Sequence, residues 1–160
     1  MKKTLTFVFV MVALLLSGCA SMKITPEERA RIAEQVQENM DNKSFRIEVT
    51  QMIPGRGAAR HVDNYFVTID GDNLISQLPY FGFAWTAPYG GGKGLNFESK
   101  IREYIDNFPK PDRRQVILTT DNGEDVLVYT IVVFTNGTAS ITVRSRSKDS
   151  ISYNGFMVME

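Results

Sequence analysis

The chain has 160 residues, of which 43% are hydrophobic, 11% are aromatic and 22% are charged, with 18 basic and 18 acidic side chains. This composition is typical of a folded globular protein and excludes an intrinsically disordered chain. Because basic side chains are not in excess, the composition also argues against nucleic acid as a partner.

The N-terminus has the pattern of a bacterial lipoprotein signal peptide. Met1–Lys3 gives a positive start, and residues 5–16 are almost wholly apolar. A membrane-spanning helix needs about 20 apolar residues, so the run is too short to span and has the length of a signal-peptide core. The sequence Leu-Ser-Gly-Cys over residues 16–19 then resembles a lipobox. We therefore expect residues 1–18 to be a signal peptide, cut between Gly18 and Cys19, and lipid to be attached to the Cys19 thiol.

Cys19 is the only cysteine in the chain, which leaves no disulfide and no cysteine metal site. The alternative is an ordinary secretory signal followed by an unmodified cysteine, which would leave an unusual free thiol. Removal of residues 1–18 leaves 142 residues with a formal net charge of −2. Ala20 and Ser21 follow the cysteine, with no adjacent aspartate of the kind that retains some lipoproteins in the inner membrane. We expect a lipid-anchored protein of the cell envelope, at the outer membrane and facing the periplasm.

Residues 19–25 are predicted to be a lipidated tether, and residues 26–160 a single β-rich domain. The domain is expected to begin with a helix at about 26–41, because Thr25 can cap it, Pro26 suits its first position and Glu28 completes a capping box. An apolar stripe at helical spacing should pack on the domain. The stripe consists of Ile32, Ala33, Val36 and Met40.

After Asn42 the apolar period changes to two residues, which indicates β-strands. The predicted strands lie around residues 45–50, 65–69, 74–80, 112–120, 125–134, 139–144 and from 151 onward. The segments at 70–73, 121–124 and 136–137 have turn sequences, and Asn136-Gly137 is the strongest hairpin signal. Short turns without intervening helices imply antiparallel pairing. The expected fold is therefore mainly β: an antiparallel curved sheet or small barrel of about eight strands with one N-terminal α-helix.

Residues 78–97 form the segment most suggestive of a function, with six aromatic residues, two prolines and five glycines. Aromatic rings supply stacking faces, and glycines allow close approach of a backbone, so the segment could bind a small apolar molecule, a glycan or a partner strand. The candidate ligand-binding residues are Tyr80, Phe81, Trp85, Tyr89, Gly90, Gly91, Gly92 and Asn96. The alternative is an aromatic loop that only covers one end of the barrel.

The segment also carries a family resemblance. The motifs that carry it are Leu78–Gly82, Ala87–Gly92, Gly94–Phe97, Met52–Pro54, Asn136-Gly137 and Ile151–Gly155. Through these motifs the chain resembles, over about residues 26–156, the domain-of-unknown-function 4251 family of small Gram-negative lipoproteins of the Bacteroides type. The family has no assigned activity, so the resemblance implies an exported lipoprotein and supplies no mechanism.

The sequence offers no catalytic or metal-binding constellation, so no catalytic residue, metal or cofactor is expected. His61 is the only histidine and lies in a glycine-containing basic loop, and no Gly-x-Ser-x-Gly motif accompanies it. Asp149-Ser150-Ile151 resembles a short O-glycosylation site of Gram-negative anaerobes, which makes Ser150 a possible acceptor.

We therefore expect a non-enzymatic envelope lipoprotein. It would bind a small apolar or glycan ligand, or an envelope protein, through residues 78–97. A purely structural or assembly lipoprotein is the alternative, and a hydrolase, which needs only two carboxylates facing each other, comes third.

Overall fold

The period-two pattern after Asn42 folds into eight antiparallel strands in the computed structural model, which describes residues 24–82 and 94–159. The strands are β1 (Ser44–Pro54), β2 (Arg60–Asp70), β3 (Asn73–Leu78), β4 (Leu95–Lys110), β5 (Arg113–Asp121), β6 (Val126–Phe134), β7 (Thr138–Ser145) and β8 (Ile151–Met157). Each strand pairs with its neighbours in sequence, and β1 pairs with β8, which closes the sheet into a barrel. The predicted mainly-β fold with one N-terminal helix is confirmed, and the sheet is closed rather than open.

The longest strand, β4, is not among the predicted strands. A bulge between Ile101 and Glu103 interrupts its alternation, so the inward-packing side chains of Phe97, Ile101 and Tyr104 are spaced by four and then three residues. β4 pairs with β3 only up to Lys100, while its pairing with β5 continues to Lys110. The β4–β5 hairpin therefore projects past the β2–β3 turn.

Side chains from all eight strands fill the barrel interior. One fully or almost fully buried residue from each strand is Ile47, Val67, Leu74, Leu95, Leu118, Ile131, Ile141 and Tyr153. Two buried polar side chains of the interior pair with each other: the Tyr129 hydroxyl donates to Ser76 Oγ at 3.0 Å, and Ser76 donates to the Leu95 carbonyl at 2.8 Å. Such pairing avoids the cost of an unsatisfied polar group inside an apolar core.

The helix α1 (Pro26–Asp41) has the predicted bounds of about 26–41 and begins where the capping signals predict. Thr25 Oγ1 accepts a hydrogen bond from the Glu28 N–H at 3.2 Å, and Val36 and Met40 are buried against the barrel. Ile32 lies near Gly137 in the β6–β7 turn, whereas residues 24–31 are exposed. None of the helices that the structure describes combines the length and apolar character needed to cross a membrane.

The barrel thus has two distinct ends. The helix end carries α1 and the β2–β3, β4–β5 and β6–β7 turns. The loop end carries the other four connections, including residues 79–82, which follow β3. The aromatic segment predicted at 78–97 therefore leaves the barrel at the end opposite to the helix.

The β1–β8 seam that closes the barrel requires a glycine. Val49 of β1 stands opposite Gly155 of β8, next to a register shift between Val49 and Gln51. A Cβ atom at Gly155 would lie 1.9 Å from the Glu48 carbonyl oxygen. The two backbones consequently approach more closely here than any residue with a side chain would permit.

Candidate functional site

Tyr80 and Phe81 lie together at the loop end, directly after β3. The backbone that carries them is held from β8, because the buried Tyr153 hydroxyl donates to the Pro79 carbonyl at 2.7 Å. The Tyr80 hydroxyl in turn donates to the Asp149 carbonyl at 3.3 Å, in the β7–β8 connection. Tyr80 is half-buried, while Phe81 is 56% exposed. The two rings are therefore held by the barrel, and Phe81 faces water.

Glycine at position 82 lets the chain pass close to the Tyr80 ring. A Cβ atom at Gly82 would meet the Tyr80 hydroxyl oxygen at 2.5 Å. Arg60 of β2 places its guanidinium carbon 5.7 Å from the centroid of the Phe81 ring, within the range of a cation–π contact. Tyr80 is thus held by the β7–β8 connection, and Phe81 contacts Arg60 of β2.

The surroundings of Tyr80 favour the neutral, protonated form of its hydroxyl. Burial and the negative charge of Asp149 raise the pKa of the Tyr80 hydroxyl, and these effects outweigh the hydrogen bond to the Asp149 backbone. Arg56 Nε lies 3.9 Å from Asp149 Oδ2. We call this part of the loop end, formed by Tyr80, Phe81, Arg56 and Asp149, the rim. It combines two aromatic faces, a protonated phenol and an ion pair in which Arg56 is the exposed partner.

Of the remaining predicted ligand-binding residues, Asn96 is the one that lies within the described part of the chain. Asn96 lies on the outer face of β4, opposite Gln77 of β3. Several predicted positions lie outside the described residues, namely Gly18, Cys19, Trp85, Tyr89, Gly90, Gly91 and Gly92.

The loop end also holds a polar cluster around Asp125 that the sequence did not predict. The Asp125 carboxylate accepts hydrogen bonds from the hydroxyls of Ser145 and of Ser147, the latter at 2.5 Å. Burial would raise the pKa of Asp125, but these hydrogen bonds outweigh it and lower the pKa. Asn122 accepts from the Glu124 and Asp125 N–H groups at 2.9 and 2.8 Å. The cluster locks the β5–β6 turn to β7, which is a structural role.

Ser150 and His61 lie in exposed positions. Ser150 follows Asp149 in the β7–β8 connection, so its predicted O-glycosylation is sterically open and stays a prediction. His61 Nε2 lies 3.0 Å from Asp63 Oδ1, and both side chains are more than 70% exposed. Within residues 24–82 and 94–159, no group of three His, Cys, Asp or Glu side chains is placed to hold a metal ion.

The helix end holds an apolar groove of about 360 Å³ that the sequence did not predict. It lies between α1 and the tip of the β4–β5 hairpin, and its walls include Ala33, Val36, Phe108, Pro109, Pro111 and Val133. Arg114 joins the two sides of the groove. Its guanidinium binds the Asp106 carboxylate, through Nε at 2.9 and 3.0 Å, and also the Asp41 carboxylate of α1.

Comparison with known proteins agrees with this architecture. The family model described as a domain of unknown function, DUF4251, matches residues 27–157. A crystal structure of a DUF4251 family protein from Bacteroides eggerthii DSM 20697 is similar with a TM-score of 0.62 and 12% sequence identity, covering 81% of this chain and 88% of that one. At that identity the likeness shows the fold alone. No curated protein matches the sequence. The chain belongs to the DUF4251 family, whose function is unknown.

Proposed function

We propose that this DUF4251 chain is an exported lipoprotein whose barrel binds a small apolar or glycan ligand, or an envelope protein, at its loop end. Its action is binding and not catalysis. The observation that carries the proposal is the pair Tyr80 and Phe81, two aromatic side chains that neighbouring elements hold in place while Phe81 stays 56% exposed. Aromatic rings held in this way offer stacking area at little cost in conformational entropy.

The proposed site is on the rim and not inside the barrel. Leu78 and Leu95, which flank the segment at the ends of β3 and β4, are 0% and 1% exposed, so the interior near the loop end is occupied by the protein's own side chains. A ligand would therefore lie on the rim, against the faces of Tyr80 and Phe81. Arg56 and the Asp149 carboxylate lie beside them to fix its orientation.

The alternative is a structural or assembly lipoprotein with no small ligand. Such a protein would need an exposed apolar patch or a free sheet edge. Pairing of β1 with β8 closes the barrel, but among the described residues β2 before Phe66 and β4 beyond Lys100 have no partner on the β3 side. The free stretch of β4 contains Pro109, which has no N–H to donate to an added strand. The rim, where neighbouring elements hold two aromatic side chains, is therefore the better candidate. A hydrolase stays third, since the rim carboxylate of Asp149 is engaged with Arg56.

The proposed location is the outer membrane, with the barrel in the periplasm and lipid on Cys19 after cleavage behind Gly18. Replacing Cys19 with serine removes the thiol that accepts lipid. The Cys19→Ser protein should be soluble or uncleaved when cells are fractionated and the intact mass is measured. A variant that was still processed and membrane-bound would refute the anchor.

Native mass spectrometry of the protein purified from its own host tests the binding proposal. Wild type should carry an additional mass, either a small molecule or a protein. The Tyr80→Ala/Phe81→Ala variant should lose it, because both stacking faces are removed. Phe156→Ala is the matched control, since Phe156 is 43% exposed on the outer wall of β8, away from the rim. Wild type without any additional mass, or a rim variant that retains it, would contradict the proposal.

A further inference from the structure

The tip of the β4–β5 hairpin, Phe108–Pro111, is unusual in its exposure. Phe108 is 68% exposed, more than any other large hydrophobic residue that the structure describes. It is not close to the rim at the loop end, because β4 runs from Leu95 at the loop end to Lys110 at the helix end. The proposed rim site therefore does not account for this exposed ring.

The tip is held firmly, so its exposure is not a consequence of a loose end. Arg114 binds Asp106 of β4 and Asp41 of α1, and its guanidinium carbon lies 4.8 Å from the centroid of the Phe108 ring. The Thr135 N–H donates to the Asp112 carbonyl at 3.0 Å, which ties the hairpin turn to the end of β6. These contacts present Phe108 to solvent from a fixed support.

The chemistry of the tip suits the interface of a phospholipid bilayer. Phe108 supplies an apolar ring, and Lys110 supplies a flexible cation that can reach phosphate groups while its stem stays in an apolar layer. Pro109 and Pro111 have no backbone N–H, so fewer polar groups lose water when the tip enters the interface. Arg113 follows at the base of the tip, where it contacts Asp112 and the Phe134 ring.

The tip also lies at the end of the molecule from which the tether starts. The tip and α1 share the walls of one groove, and α1 begins at Pro26, seven residues after Cys19. Seven extended residues reach about 24 Å at most. A lipid on Cys19 would therefore keep the helix end of the barrel close to the membrane surface.

We propose that Phe108–Pro111 is a second, non-covalent membrane contact, in which Phe108 enters the interfacial layer of the bilayer and Lys110 faces its phosphate groups. The inference rests on the proposed lipid anchor. One aromatic ring would not hold a free protein on a membrane, but tethering makes the contact intramolecular, at an effective concentration of about the millimolar range. Two attachments at the helix end would turn the loop end, with Tyr80 and Phe81, away from the bilayer.

Depth-dependent fluorescence quenching tests this contact. The lipidated protein carrying Trp85→Phe and Phe108→Trp is reconstituted into vesicles of phosphatidylethanolamine and phosphatidylglycerol that contain brominated lipids. The matched control carries Trp85→Phe and Phe81→Trp, which places the only tryptophan at the loop end. We expect at least threefold stronger quenching at position 108 than at position 81, and a decrease when Lys110→Glu is added to the Phe108→Trp protein.

Vesicle flotation in the same samples separates the two proposals. A protein that floats with the vesicles but shows equal quenching at positions 108 and 81 refutes the tip contact and leaves the anchor intact. A protein that does not float refutes the anchor, and with it the contact. Thermal unfolding of the Phe108→Trp protein should match that of wild type, since the side chain is mostly in water.

Discussion

Replacement of Gly155 with alanine should weaken the seam that closes the barrel. The added Cβ would lie 1.9 Å from the Glu48 carbonyl oxygen, whereas ordinary van der Waals contact begins at 3.4 Å. β1 and β8 would therefore have to separate locally by about 1.5 Å. Such a shift breaks two or three ladder hydrogen bonds worth about 1 kcal/mol each, so the free energy of unfolding should fall by about 2–4 kcal/mol. For a domain of this size, that corresponds to a decrease in Tm of about 7–14 °C.

Urea unfolding and amide hydrogen exchange check this prediction. Gly123→Ala is the matched control, because Gly123 has a φ of 86° and no atom within 4 Å of its Cβ position. It should cost only the strain of a left-handed residue, about 1–2 kcal/mol. Exchange in the Gly155→Ala protein should increase at Glu48–Gln51 and at Asn154–Phe156, but not in β5 or β6. Equal destabilisation by the two substitutions, with protection at the seam unchanged, would refute the reasoning.

Three further predictions concern buried polar groups. The Tyr104 hydroxyl is buried without a hydrogen-bond partner among the described residues, whereas the Tyr129 hydroxyl donates to Ser76. In urea titrations, Tyr104→Phe should therefore leave the free energy of unfolding unchanged or raise it by about 1 kcal/mol, and Tyr129→Phe should lower it by about 1 kcal/mol. The opposite order of the two variants would contradict this assignment. Burial and the charge of Asp106 raise the pKa of Tyr104 to about 12 despite the opposing effect of Arg114. The folded state therefore holds this proton more tightly than the unfolded chain, in which the pKa is about 10. The stability that this difference contributes is present below about pH 10 and should be lost as the pH rises towards 12. That loss should be smaller in Tyr104→Phe when unfolding is measured between pH 9 and 12, and an unchanged pH profile would count against it. Arg114→Met should lower the free energy of unfolding by about 2 kcal/mol because it leaves the Asp106 carboxylate unpaired. Arg114→Lys should recover less than half of this loss, since lysine cannot make the bidentate contact of a guanidinium with both carboxylate oxygens. Full recovery by lysine in the same titration would show that charge alone matters.

Most of the fold could be predicted from residue patterns, because helix capping and strand alternation are local properties. Thr25, Pro26 and Glu28 give the start of α1, and the alternation around Phe45 and Ile141 gives β1 and β7. β4 could not be recognised in this way. Its bulge breaks the period of two, and its outward face is rich in charged residues, so the strand is defined by pairing with β3 and β5.

The candidate site could be predicted only in part, for a physical reason. Aromatic and glycine content marks Tyr80 and Phe81, but the groups that hold them come from distant parts of the chain. Tyr153 and Asp149 reach them only because the closed barrel brings β8 beside the connection that follows β3. The hairpin tip was missed for a similar reason, since the exposure of Phe108 depends on how far β4 extends beyond β3.

The order of the strands has a consequence for the folding pathway. Seven of the eight strand pairings join sequence neighbours and can form as local hairpins, whereas β1 and β8 are separated by about a hundred residues. Because the entropy of closing that long loop must be overcome first, the seam should form late, after the other seven pairings have aligned its two edges. Seam substitutions should then accelerate unfolding while leaving the folding rate nearly unchanged. Since Asn39 of α1 contacts Met157 at the end of β8, opening the seam would also loosen the attachment of the helix to the barrel.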